Sequence, residues 1–316
     1  MNSETRGSNF DNSELVWFRG KVVPRRDALV PMLSPTAQFG LNVFEGLRGY
    51  WNVRENCLYL FRLEDHLRRL MQSCKLIGIE SPYSISEIRA ALLTLLASIG
   101  YKCDIAVRII LFVDGVGSWA TSSPVDMIIA PVSKPRRNEL DPSGFSACVS
   151  SWTRIDDQTL TPRAKVGANY INSRYAQLDA SQDGYDYPIL LNRQGLVAEG
   201  AGACLMAVRN GQIATPPLTS SVLESITRES LIDLAASIGS SIEVREISRS
   251  ELYISDELFL CGSSVELTPV LTLNRFRIGN GAVGPVTASL LSRYLNVVDG
   301  RDPSRRNWLT AVPNGG

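Results

Sequence analysis

The 316 residues are 44% apolar and carry 32 basic against 32 acidic side chains, so the formal net charge is zero. That balance leaves no electrostatic footprint for nucleic acid or an anionic membrane surface, and neither is expected as a partner. A chain of this length can bury one large core or two moderate ones, and we expect two domains. The six cysteines (Cys57, Cys74, Cys103, Cys148, Cys204, Cys261) are scattered without short paired spacing. They read as reduced thiols packed as small apolar side chains, not as a metal or disulfide framework. The opening Met1-Asn2-Ser3-Glu4-Thr5-Arg6 is polar and lacks the apolar stretch of a signal peptide, and no apolar run approaches membrane-spanning length. The expectation is a cytoplasmic protein without a bound metal.

In chain order, Trp17 to Val23 reads as strand, turn and strand, and Cys57 to Phe61 as a short strand entering a helix. Leu67, Leu70, Met71, Cys74 and Ile77 recur there at helical spacing, Glu64 and Asp65 favour the first turn, and Gly78 ends it. Ile85, Ile88, Leu92, Leu95, Leu96 and Ile99 mark a second amphipathic helix. The β-branched runs Ile105 to Val113 and Val125 to Pro131 read as strands. The segment from Val132 to Pro142 is polar, bracketed by prolines and without periodicity, which makes it the best linker. Beyond it, strands are expected at Phe145 to Ser151, Tyr187 to Asn192, Ala203 to Val208, Ile242 to Ile247 and Glu257 to Cys261. Helices at about Gly167–Ala180 and Thr227–Gly239 interrupt them. A two-domain α+β protein follows, with a candidate site between the halves, where cofactor clefts are common.

The chemistry concentrates around Lys165, in the run Pro162-Arg163-Ala164-Lys165-Val166-Gly167-Ala168-Asn169-Tyr170. Upstream stands Asp65-His66-Leu67-Arg68-Arg69-Leu70; downstream come Glu199-Gly200-Ala201-Gly202, Ser225-Ile226-Thr227-Arg228 and the segment Cys261 to Pro269. A lysine able to form a Schiff base, an acid for a pyridinium nitrogen and donors for a phosphate together describe a pyridoxal phosphate site. Each motif alone has a plainer reading. Lys165 alone would be a surface lysine, Glu199 a turn residue after Gly195, Tyr170 an aromatic at a helix start, and Leu223 a core side chain. Arg68 and Arg69 alone would be a solvated helix face, and Thr227 a cap. His66, the only histidine, reads as packed or capping, which takes the usual base from histidine-dependent mechanisms.

Val43-Phe44-Glu45-Gly46-Leu47-Arg48, the Phe61 to Leu70 segment, Ser151-Trp152, the Lys165 to Tyr170 run and Trp308-Leu309-Thr310 resemble the branched-chain amino acid aminotransferase family, which are fold-type IV pyridoxal phosphate enzymes. The resemblance runs from about Val16 to Val312. It implies a small N-terminal α/β domain over 1–131, an interdomain loop over 132–142, and a large C-terminal domain over 143–316 carrying the lysine. It also implies a homodimer or higher homo-oligomer, and transfer of an amino group between an amino acid, of L configuration, and a 2-oxo acid.

Under this resemblance Lys165 is catalytic: it holds the cofactor and then moves the substrate Cα proton, and a cationic cofactor beside it favours the neutral amine. Glu199 faces the pyridine nitrogen, keeping it protonated so that the ring absorbs the carbanion's electrons. Tyr170 bonds the ring oxygen and Leu223 packs on the ring face. Arg69, the start of the helix at Ile226 and Thr227, and Ser263, where the family commonly has threonine, hold the phosphate. The Gly262-Ser263-Ser264 turn takes the substrate α-carboxylate, and Arg108 stands near the carboxylate of glutamate's side chain. A charge inside the otherwise apolar strand demands a partner. Phe39 and Phe44 complete the substrate pocket. A lyase resembling 4-amino-4-deoxychorismate lyase is the runner-up, and a cofactor-binding protein without turnover a weaker third.

The sequence departs from the family pattern at named places. Ala106 stands where a tyrosine is common two residues before the arginine, Phe39 replaces another tyrosine, and Ala203-Cys204 replaces Glu-Asn. The loop that commonly brings aromatics over the substrate side chain is Ser133-Lys134-Pro135-Arg136-Arg137. The expectation is a roomier, less apolar pocket. Leucine, isoleucine and valine would be mediocre donors there, and a polar, acidic or otherwise bulky amino acid a better one.

Overall fold

The computed structural model describes residues 15–137, 141–237 and 239–313; the polar start Met1 to Arg6 and the Asn138 to Leu140 part of the loop lie outside the described residues. Seven strands form an antiparallel sheet in the order Leu309–Ala311, Cys57–Phe61, Asn42–Asn52, Ile105–Val113, Val125–Ser133, Leu15–Phe18, Lys21–Pro24. Period-two alternation divides its faces. Ile105, Val107, Ile109 and Leu111 are buried in one core with Leu67, Leu70 and Cys74 of helix Leu63–Leu76 and Ile88, Leu92 and Leu95 of helix Ile85–Ile99. The second helix starts on a capping box between Ser84 and Glu87 and ends at Gly100, whose φ of 71° is a left-handed stop. The opposite face, carrying Ala106, Arg108 and Ile110, turns to a cavity.

The second sheet is mixed and runs Ile242–Val244, Gln212–Thr215, Cys204–Arg209, Glu257–Gly262, Glu266–Leu273, Phe145–Thr153, Tyr187–Leu191, Val197–Gly200, with Phe276–Arg277 paired to Glu266–Leu273. Leu231 and Leu234 of helix Ile226–Ser237 and Leu290, Leu291 and Tyr294 of helix Pro285–Val298 share a core with Tyr50, Tyr59 and Phe61 of the first sheet. This cluster joins the two halves. Helix Tyr170–Gln182 packs on strands Phe145–Thr153 and Tyr187–Leu191.

Three elements differ from the sequence expectations. The strand at Ile242 ends at Val244 instead of Ile247. Helix Pro285–Val298 is absent from the sequence expectations, although Pro285 at its first position and its buried 290/291/294/295 stripe are helical signals. The division at 143–316 is crossed by the chain's end, because Leu309–Ala311 returns to pair with Cys57–Phe61 and covers that sheet edge.

One buried carboxylate ties the sheets together. Glu266, at the start of its strand with φ 53°, accepts from the Tyr50 hydroxyl at 2.7 Å and from the Arg137 amide at 2.5 Å, with Arg48 at 3.4 Å. Tyr50 also meets the Tyr294 hydroxyl at 2.9 Å. Burial, with Tyr294 and Glu266 beside it, pushes the Tyr50 phenol well up, so it stays a donor. Tyr50→Phe should therefore cost about 1–3 kcal/mol, since a buried acceptor loses a partner without gaining another. Urea unfolding would register this as a lower midpoint; an unchanged midpoint would mean Glu266 is satisfied by Arg48 and Arg137 alone.

Candidate active site

Lys165 lies in the second half of the chain, between strand Phe145–Thr153 and helix Tyr170–Gln182, yet its backbone is fastened to the first. Its carbonyl accepts from Phe44 N at 2.9 Å, its amide donates to Ser73 Oγ at 3.0 Å, and Val166 bridges Val43. A 3-10 turn at Gly167–Asn169 then brings Tyr170 round onto the lysine. Lys165 Nζ donates to Tyr170 Oη at 2.7 Å and lies 4.7 Å from the centre of the Phe44 ring. All three line a cavity of about 930 Å³ between the sheets.

Glu199 sits in the wall of the same cavity, buried, with Oε1 2.8 Å from Arg154 Nη2 and 3.0 Å from Arg154 Nε. Its Oε2 accepts from Leu223 N at 3.4 Å and faces the Cys204 thiol at 3.9 Å. Burial, then the Glu199 charge, pushes the Cys204 thiol well up and keeps it protonated. Gly200 is required beside it, because a Cβ there would lie 2.5 Å from the Tyr187 ring. The Tyr187 hydroxyl in turn accepts from Gly202 N at 2.8 Å and fixes the turn. Leu223 lines the cavity next to them.

Arg69 reaches the cavity from helix Leu63–Leu76. Glu45 takes its Nε and Nη2 at 2.7 and 2.8 Å, and Glu224 O takes its Nη1 at 2.6 Å. Each Nη has a second hydrogen, so a phosphate can still be met by the same guanidinium. Ser225 and Ile226 stand in the neighbouring wall, where the Ile226–Ser237 helix starts and its positive end opens. His66 is packed, not free: its Nδ1 lies 2.7 Å from Glu45 Oε2 in the core. Burial raises the Glu45 pKa, but Arg69 and the hydrogen bond from His66 outweigh it and hold the carboxyl far below the carboxylate range.

Ser263, Ser264 and Arg108 also line the cavity, Arg108 stacking its guanidinium 4.8 Å from the centre of the Phe44 ring. Two expected residues are not brought there. Thr227 is buried in the helix start and is absent from the lining, and Phe39 ends a short helix with 40% of its surface exposed. The cationic loop is also corrected, because only Lys134 of its three cations turns to the cavity. Arg136 is held by Asp104 at 2.6 Å and by Asp299, and Arg137 by Asp141 and Ser143. Sequence reasoning missed Arg154, Tyr187, Arg25 and Arg48 as lining residues and Glu45 as the partner of Arg69; the signals were the place of Glu45 and Arg48 in the Val43 to Arg48 run and that of Arg154 just after Ser151-Trp152.

The description "Amino-transferase class IV" matches residues 42–273. The chain belongs to the class IV aminotransferases. It is 36% identical over 301 residues to a probable branched-chain-amino-acid aminotransferase of Aquifex aeolicus, covering 95% of this chain and 97% of that protein. The Escherichia coli branched-chain-amino-acid aminotransferase is 34% identical, with 95% and 98% covered. Among solved structures, the branched-chain amino acid aminotransferase of Thermobaculum terrenum in PLP-form superimposes with a TM-score of 0.90 at 39% identity, over 95% of this chain and 98% of that one. The branched-chain aminotransferase of Thermoproteus uzoniensis with norvaline gives 0.89 at 35%, over 95% and 99%. The fold of this class IV aminotransferase is therefore that of the fold-type IV enzymes.

The buried Glu45–His66 pair makes stability fall with acid. Burial, opposed by Glu45, lowers the His66 pKa, so the unfolded chain binds a proton first as pH drops through about 6.5. Glu45 adds a second loss below about pH 4.3, where the unfolded carboxyl protonates and the folded one does not. Because His66 is the only histidine, the slope of Tm between about pH 6.5 and 5 isolates it. His66→Gln should flatten that slope, and an unaltered slope in the variant would refute the assignment.

Proposed function

We propose that this class IV aminotransferase exchanges an amino group between amino acids and 2-oxo acids of the branched-chain type, with pyridoxal 5′-phosphate as cofactor. The observation that carries the reading is the contact of Lys165 Nζ with Tyr170 Oη at 2.7 Å, in one cavity with an arginine-held carboxylate and Arg69. The donor set fits the cofactor: a lysine for its aldehyde, a phenol for its ring oxygen, Glu199 for its nitrogen, and Arg69 with the start of the Ile226–Ser237 helix for its phosphate. Ser263 adds a hydroxyl to the phosphate, Leu223 packs on the ring, and the Ser263-Ser264 turn receives the substrate α-carboxylate.

When bound, the cofactor supplies an electron sink for the charge left at the substrate Cα. The protein does the rest. Lys165, freed by the substrate amine, would be the base that takes the substrate Cα proton and the acid that delivers it to the carbon that had held the lysine. Tyr170 holds that amine in place, and Phe44 closes one side of it against water. Arg154 occupies one oxygen of Glu199 and so aims the other. Transfer is favoured over a lyase reaction by the aminotransferase relatives, and it requires a 2-oxo acid acceptor where elimination does not.

We read the two sheets as a small and a large domain joined by the 132–142 loop, and the enzyme as a homodimer. Met32, Val116 and Trp119 are 78%, 78% and 74% exposed, and Leu29, Leu33 and Phe39 are exposed as well, apolar side chains of the kind that a second copy would cover. The six free cysteines suit a reducing, cytoplasmic setting.

Lys165→Ala should abolish both turnover and the visible absorption of the bound cofactor; a borohydride-fixed adduct on another lysine would sink the assignment. Glu199→Gln should retain cofactor and lose about two to three orders of magnitude in kcat, the usual effect of removing a charge that acts in the transition state. Near-normal kcat in that variant would place Glu199 away from the ring nitrogen. Arg69→Ala should weaken cofactor binding about ten- to a hundredfold, as measured by equilibrium titration. An unchanged affinity would leave Arg69 with Glu45 as its sole duty.

A further inference from the structure

Helix Ile226–Ser237 carries a buried cation without a counter-ion. Arg228, in its first turn, is 5% exposed, and among the described residues no carboxylate pairs with it. Its side chain is held by neutral oxygens: Nε donates to Thr215 Oγ1 at 3.1 Å and Nη2 to Pro216 O at 3.0 Å. Thr215 is itself fixed, since its hydroxyl donates to Leu205 O at 2.9 Å. The acidic residues nearest in sequence are committed elsewhere, Glu224 to Arg163 and Glu229 to Arg62 at 3.7 Å. Neutral acceptors fix where a guanidinium sits but do not cancel its charge, and an unbalanced buried charge is costly unless an anion comes to it.

The charge stands at the start of the helix. The Arg228 amide donates to Ser225 Oγ at 3.2 Å, and Ser225 and Ile226 line the cavity. Arg228 is not itself among the lining residues, yet its field reaches the wall. Burial raises the Cys204 and Cys261 thiols, Cys261 to about 12, and Arg228 is the cation that opposes this at both; both thiols line the cavity. Arg69 brings hydrogen-bond donors to the same cavity but little net charge, because Glu45 pairs with it at 2.7 Å. Burial lowers the pKa of the neighbouring His66, so that ring adds no charge at neutral pH.

We propose that Arg228 is the charge partner of the cofactor phosphate, acting from behind the wall, while Arg69 and the helix start supply the hydrogen bonds. The proposal rests on the cofactor placement given above. A phosphate monoester carries about −1.5 to −2 charges at neutral pH. Set against the Arg69–Glu45 pair, it meets donors whose charge is already balanced. Arg228 adds a full charge inside a wall where water screens little.

The test titrates the cofactor-free, full-length chain with pyridoxal phosphate and with pyridoxal, which keeps the aldehyde for Lys165 and lacks the phosphate. Arg228→Met keeps the bulk and removes the charge. It should weaken pyridoxal phosphate about ten- to a hundredfold and leave pyridoxal within about twofold of wild type. Arg228→Lys should keep most of the affinity for pyridoxal phosphate although its hydrogen bonds differ. An equal loss for both ligands in Arg228→Met overturns the proposal and leaves Arg228 as a brace for the helix. No loss for either ligand, or a lysine variant as weak as the methionine variant, overturns it too. Phosphorus NMR of the wild-type holoenzyme adds a readout that needs no variant to fold. A phosphate facing an unbalanced cation stays dianionic well below its ordinary pKa of about 6, so its resonance should hold still from about pH 8 to about pH 5. Titration of the bound phosphate near that ordinary value overturns the proposal. A wild-type chain that binds neither ligand would overturn the cofactor reading itself, and this role with it.

Discussion

The placement of Lys165 depends on hydrogen bonds made by its backbone and not by its side chain. Its carbonyl and amide are both taken by the first half of the chain, at Phe44 and Ser73, although it lies in the second half in sequence. The residue is thus a seam between the sheets, and the Val43–Val166 bridge continues that seam by one position. Everything in the cavity is measured from this point. A side chain anchored at both flanking peptide groups loses little further entropy when it is aimed. The joining cluster of Tyr50, Phe61 and Tyr294 fixes the two halves around that seam.

The cavity itself follows from strand alternation. Ile105, Val107, Ile109 and Leu111 spend one side of their strand on the helical core, and Ala106, Arg108 and Ile110 are left for the other. The same strand therefore provides both stability and a binding floor. Behind the opposite wall, helix Leu63–Leu76 turns Leu67 and Leu70 into the core while Arg69 emerges at the cavity and is held by Glu45 from the neighbouring strand. Glu45 lies between buried Phe44 and the open face at Gly46, and its carboxylate faces away from the floor toward His66 and Arg69. A single strand thus orients residues on both of its faces for one site.

What could be read from sequence was local. Lys165 and Tyr170 are five residues apart across one tight turn, and Glu199 precedes a glycine whose smallness the Tyr187 ring demands, so short spacings carried the geometry. The amphipathic helices at 63–76 and 85–99 were legible for the same reason, since their periodicity is a property of neighbours. Arg154 with Glu199, Arg69 with Glu45 and Arg48 with Glu266 were not legible, because separations of 45, 24 and more than two hundred residues leave no spacing signal. The return of Leu309–Ala311 to the first sheet is long-range in the same way. Phe39 and Thr227 fail differently: the sequence placed them near the site, but one turns outward and the other into the helix packing.

The electrostatics of the cavity follow from how its cations are partnered. The chain is neutral overall, yet Arg25, Arg48, Arg69, Arg108, Lys134, Arg154 and Lys165 line one space with Glu199 as the carboxylate among the lining residues. Two of these cations are neutralised locally, Arg154 by Glu199 and Arg69 by Glu45 from behind the wall. These serve as scaffolding with residual donors, and their charges cost little in the empty protein. Arg108 has no such partner among the described residues, and Arg48 has only a part share in Glu266. Like charges held together in a half-buried space repel each other and forgo solvation, a cost that the folded protein sustains through packing elsewhere. Anionic ligands relieve it on arrival. An anionic ligand that bound there would draw on charge already gathered by the fold.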